Sequence, residues 1–255
     1  MRTVAPHPAL APFIRDHMIV EVREVTQRLR LPEQGLVLAV RYRGFASVGD
    51  GATGERLPDA TLTGMALHAR QMRTSAGGGV VLVRFRPGGA ARFFEQPLHE
   101  LFELSPALTD IVPREEVARV HEHVSKAHDD SERVRAIEGF LLARERGRTD
   151  PLVTASVHRI GEVGDLGRIS DLARHFGLSL DAFEKRFRRG IGCTPKQFAS
   201  LVRLRRAIES YRPGVPLTQI ALDAGYYDQS HFNRALRAVT GKAPGHFFQR
   251  HPVER

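Results

Sequence analysis

A short stretch near the C-terminus combines hydrogen-bonding and cationic side chains and contains no acid between Asp228 and Glu254. On a helix, such side chains would project from one outward face. Arginine can donate two hydrogen bonds to guanine, and asparagine or glutamine can pair in a similar way with adenine. The pattern therefore predicts contacts with base edges in DNA by Gln229, Ser230, His231, Asn233, Arg234 and Arg237. For His231, packing at the edge of the helix is an alternative to a phosphate contact.

A comparable stretch lies 49 residues earlier and mixes basic side chains with acids. Asp181 and Glu184 are unfavourable near phosphates, although a carboxylate can accept a hydrogen bond from cytosine. The later stretch is therefore the stronger candidate for base reading. The candidate base-reading residues of the earlier stretch are Ser179, Asp181, Ala182, Lys185, Arg188 and Arg189.

Both stretches belong to a unit that occurs twice in the chain. At an offset of 48, five residues match later ones in chemical type: Ile169, Ser170, Leu172, Ala173 and Gly177 match Leu217, Thr218, Ile220, Ala221 and Gly225. At an offset of 49 the match continues, with residues 183–198 paired to residues 232–247. Because self-similarity at a fixed offset marks duplicated structural units, we predict two copies of one fold.

Each copy is predicted to form two helices joined by a tight turn. Ser170 and Thr218 are candidate N-caps of the first helix, and Gly177 and Gly225 can adopt the positive φ that ends it. The second helix opens at a capping residue and buries apolar residues at helical spacing. These sets are Ser179 with Phe183, Phe187 and Ile191, and Asp228 with Phe232, Leu236 and Val239. Helix, glycine turn and helix form the helix-turn-helix unit that reads DNA.

A linker helix is predicted between the two copies, over residues 195–211. A helix of about 16 residues spans about 24 Å. With the flanking units, that length would allow the two reading helices to enter successive major grooves, about 34 Å apart. Contacts with the DNA backbone are expected from the basic residues Arg203, Arg205, Arg206 and Lys242.

The positive charge of the chain is concentrated in its C-terminal part. The formal net charge is +9; residues 151–255 carry 17 Lys/Arg against 9 Asp/Glu, whereas residues 1–150 carry 21 against 20. A cationic domain attached to a neutral one is typical of a polyanion-binding module joined to a domain with another task. Double-stranded DNA is the expected partner, and a basic surface that only aids solubility is the alternative.

The first half of the chain has the pattern of a small antiparallel β domain. Runs rich in β-branched and aromatic residues predict strands near residues 36–42, 44–48, 61–65 and 80–85. Helical spacing then predicts two helices, over residues 114–126 and 131–146. The expected fold class is α+β. A β domain with helices, residues 1–148, precedes an all-α domain of two helix-turn-helix units and their linker helix, residues 149–255.

Several function classes are disfavoured by what the sequence contains. No apolar run of about 18 residues could span a bilayer, and the N-terminus has no signal-peptide pattern, so we expect a soluble, cytoplasmic protein without a membrane partner. Cys193 is the single cysteine, which excludes an internal disulfide and a cysteine-based zinc site. Its place at the end of a helix favours a structural role over a reactive one.

Other candidate site residues have simple structural explanations. His121, His123 and His128 could suggest a metal site, but residues two apart on a helix point to different faces, so we expect a solvated surface and no metal. Arg84 and Arg86 share one face of a strand, which is either solvated or a clamp for an anionic ligand. No phosphate-binding loop, Ser/His/Asp signature or paired metal ligands occur, so neither catalysis nor a cofactor is expected.

At the repeated unit, the chain resembles the DNA-binding domain of the AraC/XylS family over residues 152–250. The strings ISDLARHFGLSLDAFEKRFRRGIGCTPKQF and LTQIALDAGYYDQSHFNRALRAVTGKAPGHFFQR carry this resemblance. Tyr226 and Leu236 stand where phenylalanine is usual and keep a similar volume. The resemblance implies a bacterial transcription regulator, for example an activator, that binds specific DNA. It leaves RNA polymerase and a second copy of the chain open as partners.

The strings APHPALAPFIRDHM and VLVRFRPGGAARFF are similar to a sensor-like domain that accompanies this module in many bacterial regulators. That resemblance implies that residues 1–148 sense a small-molecule effector or dimerise, without naming the effector. Three hypotheses follow. The chain is a regulator with a sensing or dimerising domain, an enzymatic β domain fused to a DNA tether, or an architectural protein that binds DNA without sequence preference.

Overall fold

The computed structural model describes residues 1–49, 54–145, 149–163 and 169–250. Its N-terminal part contains two antiparallel sheets. In the first sheet the strands lie in the order β1 (Arg2–Val4), β2 (Ile14–Glu21), β9 (Gly79–Phe85), β4 (Val37–Arg43) and β7 (Ala60–Thr63). In the second sheet the order is β3 (Thr26–Arg30), β8 (Arg70–Thr74), β5 (Ala46–Val48) and β6 (Glu55–Arg56).

The first sheet uses both of its faces, as the two-residue period of a strand allows. Leu38 and Val40 of β4 belong to the main hydrophobic core. Val37, Ala39 and Arg41 of the same strand line a cavity on the other side, together with residues of the second sheet. The two sheets therefore enclose a space between them.

Two helices cover the outer face of the first sheet. They are α1 (Arg114–Lys126) and α2 (Asp130–Ala143), close to the predicted ranges; residue 146, where the second was expected to end, lies outside the described residues. Val117, Val120 and Val124 form the buried stripe of α1, as the sequence predicts, and share the core of Leu38.

The C-terminal part is helical. Its described helices are α3 (Pro151–Val163), α4 (Ile169–His175), α5 (Leu180–Ile191), α6 (Pro195–Ser210), α7 (Leu217–Asp223), α8 (Gln229–Thr240) and α9 (Pro244–Arg250). The pairs α4–α5 and α7–α8 are the two predicted helix-turn-helix units, and α6 is the linker helix. Thr194 and Gln197 form a capping box at the start of α6, with Pro195 in its first turn. Within the described ranges, no helix is long and apolar enough to cross a membrane.

The first helix-turn-helix unit shares its core with the N-terminal sheets. Phe183, Phe187 and Phe198 lie in the same hydrophobic cluster as Ile14 and Val83. The second unit has its own core, formed by residues of α6 to α9 that include Leu204, Ile208, Ile220, Phe232, Leu236 and Phe247. The second unit still touches the N-terminal part, because Leu29 and Leu31 pack against this second core.

The α+β fold class is confirmed, and each of the four predicted strands has a counterpart. Strands β2, β3 and β8 are not evident in the sequence, because polar residues interrupt their apolar pattern. In β2 the buried His17 is accommodated by Glu138, and Asp16 by Arg84. These contacts come from elsewhere in the chain, so local patterning does not reveal them.

The predicted N-caps of α4 and α7 are wrong. Ser170 lies within α4, and Thr218 lies within α7, where Pro216 occupies the N-cap position. The hydroxyl of Thr218 instead donates a hydrogen bond to Oε1 of Gln229, at 2.7 Å. The side chain thus joins the two helices of the unit rather than ending one of them.

Candidate nucleic-acid interface and enclosed cavity

Each helix-turn-helix unit turns at a glycine. Gly177 has φ of 67° and Gly225 has φ of 84°, both in the left-handed region that side chains disfavour. The next helix then opens at a cap that accepts a backbone hydrogen bond: Ser179 Oγ from the N–H of Ala182, at 3.2 Å, and Asp228 Oδ1 from that of His231, at 2.6 Å. The predicted glycine turns and these two caps are confirmed.

Helix α5, the first candidate reading helix, is strongly two-sided. Phe183, Phe187 and Ile191 are buried. The predicted DNA-contacting residues lie on the exposed part of the unit: Ser179, Asp181, Ala182, Lys185, Arg188 and Arg189. Glu184 is half-buried, whereas Asp181 is exposed beside the basic side chains of α5.

The far end of α5 is held against the N-terminal part. Ile191 is buried, and Gly192 ends the helix with φ of 106°. A Cβ at Gly192 would lie 3.2 Å from the carbonyl oxygen of Leu98 and from Met65, so the backbones approach closely here. At the solvent side, the guanidinium of Arg186 pairs with the carboxylate of Asp150 before α3, including a 2.9 Å hydrogen bond. The reading helix is therefore fixed in position from two sides.

Helix α8, the second candidate reading helix, exposes a smaller polar face than predicted. Ser230, Arg234 and Arg237 are exposed, and Phe232 and Leu236 are fully buried. Gln229 is half-buried through its bond to Thr218. The exposed pair of arginines, three residues apart, remains the strongest local candidate for groove contact.

Two residues of α8 lie differently from the prediction. Asn233 was expected to face outward, but the residue is half-buried and its Oδ1 atom is enclosed without a hydrogen-bond partner among the described residues. His231 is half-buried, and its ring meets that of Tyr226 edge-on at 5.1 Å. For His231 the structure thus shows the packing that was one of the two alternatives. Burial of Tyr226 raises the pKa of its hydroxyl to about 12.

The basic residues of α6 are not a free row of cations. The guanidinium of Arg203 lies over the ring of Tyr226, at 5.5 Å from its centre. Arg206 donates a 2.5 Å hydrogen bond to the carbonyl oxygen of Gly161 in α3. Lys242 follows the C-cap Gly241, and its backbone N–H bonds Oγ1 of Thr240 at 3.1 Å.

Arg205 departs most from its predicted position on the DNA backbone. Its Nε donates to the carbonyl oxygen of Pro32 at 2.9 Å, and a second guanidinium nitrogen lies 3.0 Å from a carboxylate oxygen of Glu33. The side chain is 15% exposed. The expectation that it faces phosphate is corrected, because the loop before β4 covers this turn of α6.

Some exposed residues of the interface were not singled out from the sequence. Tyr227, in the turn before α8, is 88% exposed. Lys196, at the start of α6, is also exposed. An aromatic residue in a helix-turn-helix turn is a signal that the sequence contains, but its exposure is visible only in the structure.

The surroundings of the remaining candidate residues do not suggest a chemical role for them. Nε2 of His121 donates to the carbonyl oxygen of Arg41 at 2.8 Å, so His121 is half-buried rather than solvated, whereas His123 and His128 are exposed. In the described part of the chain, no group of three potential ligands could hold a metal ion. Cys193 is buried, and burial raises the pKa of its thiol to about 12.

Arg84 and Arg86 separate in the structure. Arg84 donates two hydrogen bonds to the carboxylate of Asp16, both at 2.6 Å, so it is neither a solvated residue nor an open clamp. Arg86 is exposed and donates to the carbonyl oxygen of Ala11 at 2.9 Å. Because β9 ends at Phe85, Arg86 lies beyond the strand, and of these two arginines it is Arg84 that lines the cavity between the sheets.

That cavity has a volume of about 180 Å³. Its walls are mainly aliphatic and come from both sheets, for example Val20, Val37, Leu82 and Met72. The polar lining includes four arginines, at positions 30, 41, 70 and 84, and one acid, Glu33. An apolar chamber with a few fixed polar groups is the usual form of a small-molecule site.

Comparison with known proteins found one family match for each part of the chain. Residues 172–250 match the model of a helix-turn-helix domain family, and residues 2–105 match that of a domain of unknown function, DUF6597. No curated protein sequence matches the chain. These matches cover the repeated unit and the two sheets respectively.

Two crystal structures from Vibrio cholerae are similar over most of the chain. Apo ToxT from strain SCE256, with one lysine replaced by alanine, has a TM-score of 0.51 at 11% identity, covering 92% of this chain and 96% of that one. ToxT from strain O395 has a TM-score of 0.49 at 12% identity, covering 93% and 98%. The first likeness shows a shared two-part fold.

The two glycine turns, the exposed basic faces and the matched family define a helix-turn-helix DNA-binding protein. The match of residues 172–250 to the helix-turn-helix domain family, together with this geometry, supports a DNA-binding transcription regulator.

Proposed function

We propose that the two helix-turn-helix units read successive major grooves on one side of a DNA duplex. The N-terminal domain, residues 1–148, modulates this binding through a small molecule or a second copy of the chain, and residues 149–255 form the DNA-binding domain. RNA polymerase is a further partner of such a regulator.

The observation that carries this proposal is the same arrangement in both units. In each, an aromatic and aliphatic stripe fixes the second helix, while two arginines stand exposed on the opposite side: Arg188 and Arg189 on α5, Arg234 and Arg237 on α8. Arginine is the residue that most often reads guanine in the major groove. Both helices are thus suited to base contact.

The linker helix supports reading of two groove segments. Helix α6 has 16 residues, which corresponds to a length of about 24 Å. The units at its two ends extend the span further, toward the separation of about 34 Å between successive major grooves on one face. One protomer can then cover both segments.

Contacts between the two parts of the chain support modulation by the N-terminal domain. The first unit shares a hydrophobic core with the sheets. The second unit receives a backbone hydrogen bond from Ala69 to the carbonyl oxygen of Val239, at 2.7 Å. A change in the sheets can therefore reach both reading helices.

Selection of tight-binding duplexes from a randomised pool, with the full-length protein, tests the proposal. We expect an enriched motif with two conserved segments one helical turn apart. Arg188→Ala is expected to relax preference in one segment and Arg234→Ala in the other, by about 1–3 kcal/mol at each affected base pair. Arg174→Ala, an exposed arginine on α4 outside both reading helices, is the matched control.

Two results would contradict the proposal. Equal affinity for enriched and scrambled duplexes would identify a sequence-neutral architectural binder. Unchanged base preference in both Arg188→Ala and Arg234→Ala would show that α5 and α8 do not read bases.

A further inference from the structure

The cavity between the sheets contains a buried cation that has no ion-pair partner in the described part of the chain. Arg41 is 4% exposed and lines the cavity. Its Nε has no hydrogen-bond partner among the described residues, and none of their carboxylates forms an ion pair with its guanidinium. Desolvation by burial lowers the pKa of Arg41, and the charge of Asp59 opposes this shift only in part.

The other arginines of the cavity separate into paired and unpaired groups. Arg84 is neutralised by Asp16 and lies 3.8 Å from Glu33. Arg70 instead donates to uncharged acceptors, Oγ of Ser105 at 2.8 Å and the carbonyl oxygen of Glu103. Within the described ranges, Arg70 also has no ion pair, so the chamber has more positive than negative charge.

This arrangement is costly for a folded protein without a ligand. A buried charge is ordinarily paired, because its desolvation is otherwise uncompensated. Arginine stays protonated even when its pKa falls, since its ordinary pKa lies far above neutrality. The Nε atom of Arg41 has no acceptor among the described residues, and an unsatisfied buried group of this kind requires an explanation.

We propose that the cavity binds a small organic monocarboxylate with an apolar body, whose carboxylate is received by the guanidinium of Arg41. The planar fork of arginine matches the two oxygens of a carboxylate. The apolar body lies against the aliphatic side chains of the two sheets. The inference deepens the proposed modulation by the N-terminal domain and rests on it for its regulatory consequence.

The size of the chamber limits the ligand. An apolar protein cavity of about 150 Å³ accommodates benzene, and this cavity has about 180 Å³. We therefore expect a monocarboxylate of six to eight carbons to fit the cavity. A free inorganic anion would leave the aliphatic walls without contacts.

The cavity also has a direct connection to the DNA-binding domain. Glu33 lines the chamber and pairs with Arg205 of α6. A carboxylate that enters beside Glu33 repels its side chain and can displace it from Arg205. Occupancy of the cavity can in this way reach the helix that joins the two reading units.

Calorimetric titration of the full-length protein with hexanoate and benzoate tests the site. Hexanamide and benzamide are the matched neutral ligands. We expect each carboxylate to bind at least about tenfold more tightly than its amide, because only the carboxylate neutralises Arg41. Arg41→Leu is expected to remove this preference. Arg43→Gln, an exposed arginine of the same strand outside the cavity, is expected to keep it.

Thermal unfolding without ligand separates a binding role from a structural one. Arg41→Leu is expected to melt at the same temperature as the wild-type protein or higher, since it removes an unpaired buried charge. A lower melting temperature would overturn the proposal by showing that Arg41 stabilises the fold. Arg41→Lys, which keeps the charge and loses the fork, is expected to bind carboxylates weakly and still better than amides.

The outcomes distinguish this site from the proposed function. Absence of carboxylate binding in a protein that still selects specific duplexes would overturn the ligand site and leave the DNA-reading proposal standing. Carboxylate binding through Arg41 with unchanged affinity for the selected duplex would support the site and contradict modulation through this ligand.

Discussion

Arg205 of the linker helix and Glu33 of the N-terminal domain form an ion pair with 3.0 Å between nitrogen and oxygen. Their side chains are 15% and 22% exposed, so solvent screens the pair only partly. Glu33 also accepts a 3.0 Å hydrogen bond from Arg15. One carboxylate thus connects the sheets, the cavity and the helix between the reading units.

The first prediction concerns the stability that this pair provides. Arg205→Ala is expected to lower the free energy of unfolding by about 1.5–3 kcal/mol, the usual range for a hydrogen bond to a charged group. Arg237→Ala, on the exposed face of α8, is expected to change it by less than about 0.5 kcal/mol. Urea denaturation measures both. Equal stability of the two variants would mean that the pair contributes nothing in solution.

A second prediction separates phosphate contacts from contacts within the protein. Because Arg205 is engaged by Glu33 and Pro32, Arg205→Ala is expected to leave the salt dependence of DNA binding unchanged. Arg206 instead donates to the uncharged carbonyl oxygen of Gly161, which does not neutralise its guanidinium, so Arg206→Ala is expected to flatten the dependence of log affinity on log salt by about one unit. Titrations of one duplex at several salt concentrations give both slopes. A flatter slope for Arg205→Ala would restore its predicted role on the DNA backbone.

The third prediction tests the turn of the first helix-turn-helix unit. Gly177 has φ of 67° and no atom within 4 Å of an added Cβ, so only backbone strain opposes an alanine. Gly177→Ala is therefore expected to destabilise the protein by about 1–2 kcal/mol. Gly139 in α2 has equally open space and helical geometry, and Gly139→Ala is expected to stabilise by about 0.5–1 kcal/mol. Changes of the same sign would contradict the turn assignment.

The fourth prediction uses Cys193 as a reporter of unfolding. The thiol is 2% exposed, and burial raises its pKa to about 12. Since the thiolate is the reactive form and each pKa unit changes its fraction tenfold, iodoacetamide labelling at pH 8 is expected to be on the order of a thousandfold slower in the native protein than in urea. Mass spectrometry follows the single adduct. Comparable rates in both states would show that the helix end opens readily.

The reading units could be predicted from the sequence because their signals are local. A glycine turn, a capping side chain and aromatic residues at helical spacing all lie within about 25 residues, and Gly177, Ser179 and Phe183 occupy the predicted positions. Where the sequence misassigns a cap, as at Thr218, a neighbouring helix has taken the hydroxyl.

The cavity and the position of Arg205 could not be predicted, because both depend on contacts between distant segments. Arg41 stands in a strand whose alternation suggests a solvated face, and only the second sheet buries it. Arg205 occupies the polar side of an amphipathic helix, and the loop containing Glu33 covers it. The helical period of α8 predicts an outward position for Asn233, but packing around the helix encloses its Oδ1 atom.

The burial of His17 also depends on contacts between distant segments, and it makes the stability of the protein depend on pH. The side chain is fully buried on β2, and its Nε2 lies 3.0 Å from Oε1 of Glu138 on α2. The same carboxylate oxygen accepts a 2.7 Å bond from the backbone N–H of His7. Desolvation by burial lowers the pKa of His17 from its ordinary value, and the hydrogen bond to Glu138 opposes this only in part.

The last prediction follows from the sign of that shift. An unfolded histidine binds its proton near pH 6.5 and the folded His17 does so only at lower pH, so the unfolded state binds more protons and stability falls as pH decreases below about 6.5. The slope from this single group is at most about 1.4 kcal/mol per pH unit. Urea denaturation between pH 7.5 and 5 is expected to show a weaker acid loss in His17→Gln than in wild type. His123→Gln, at an exposed position, should match wild type; if His17→Gln does so too, His17 is not held neutral by the fold.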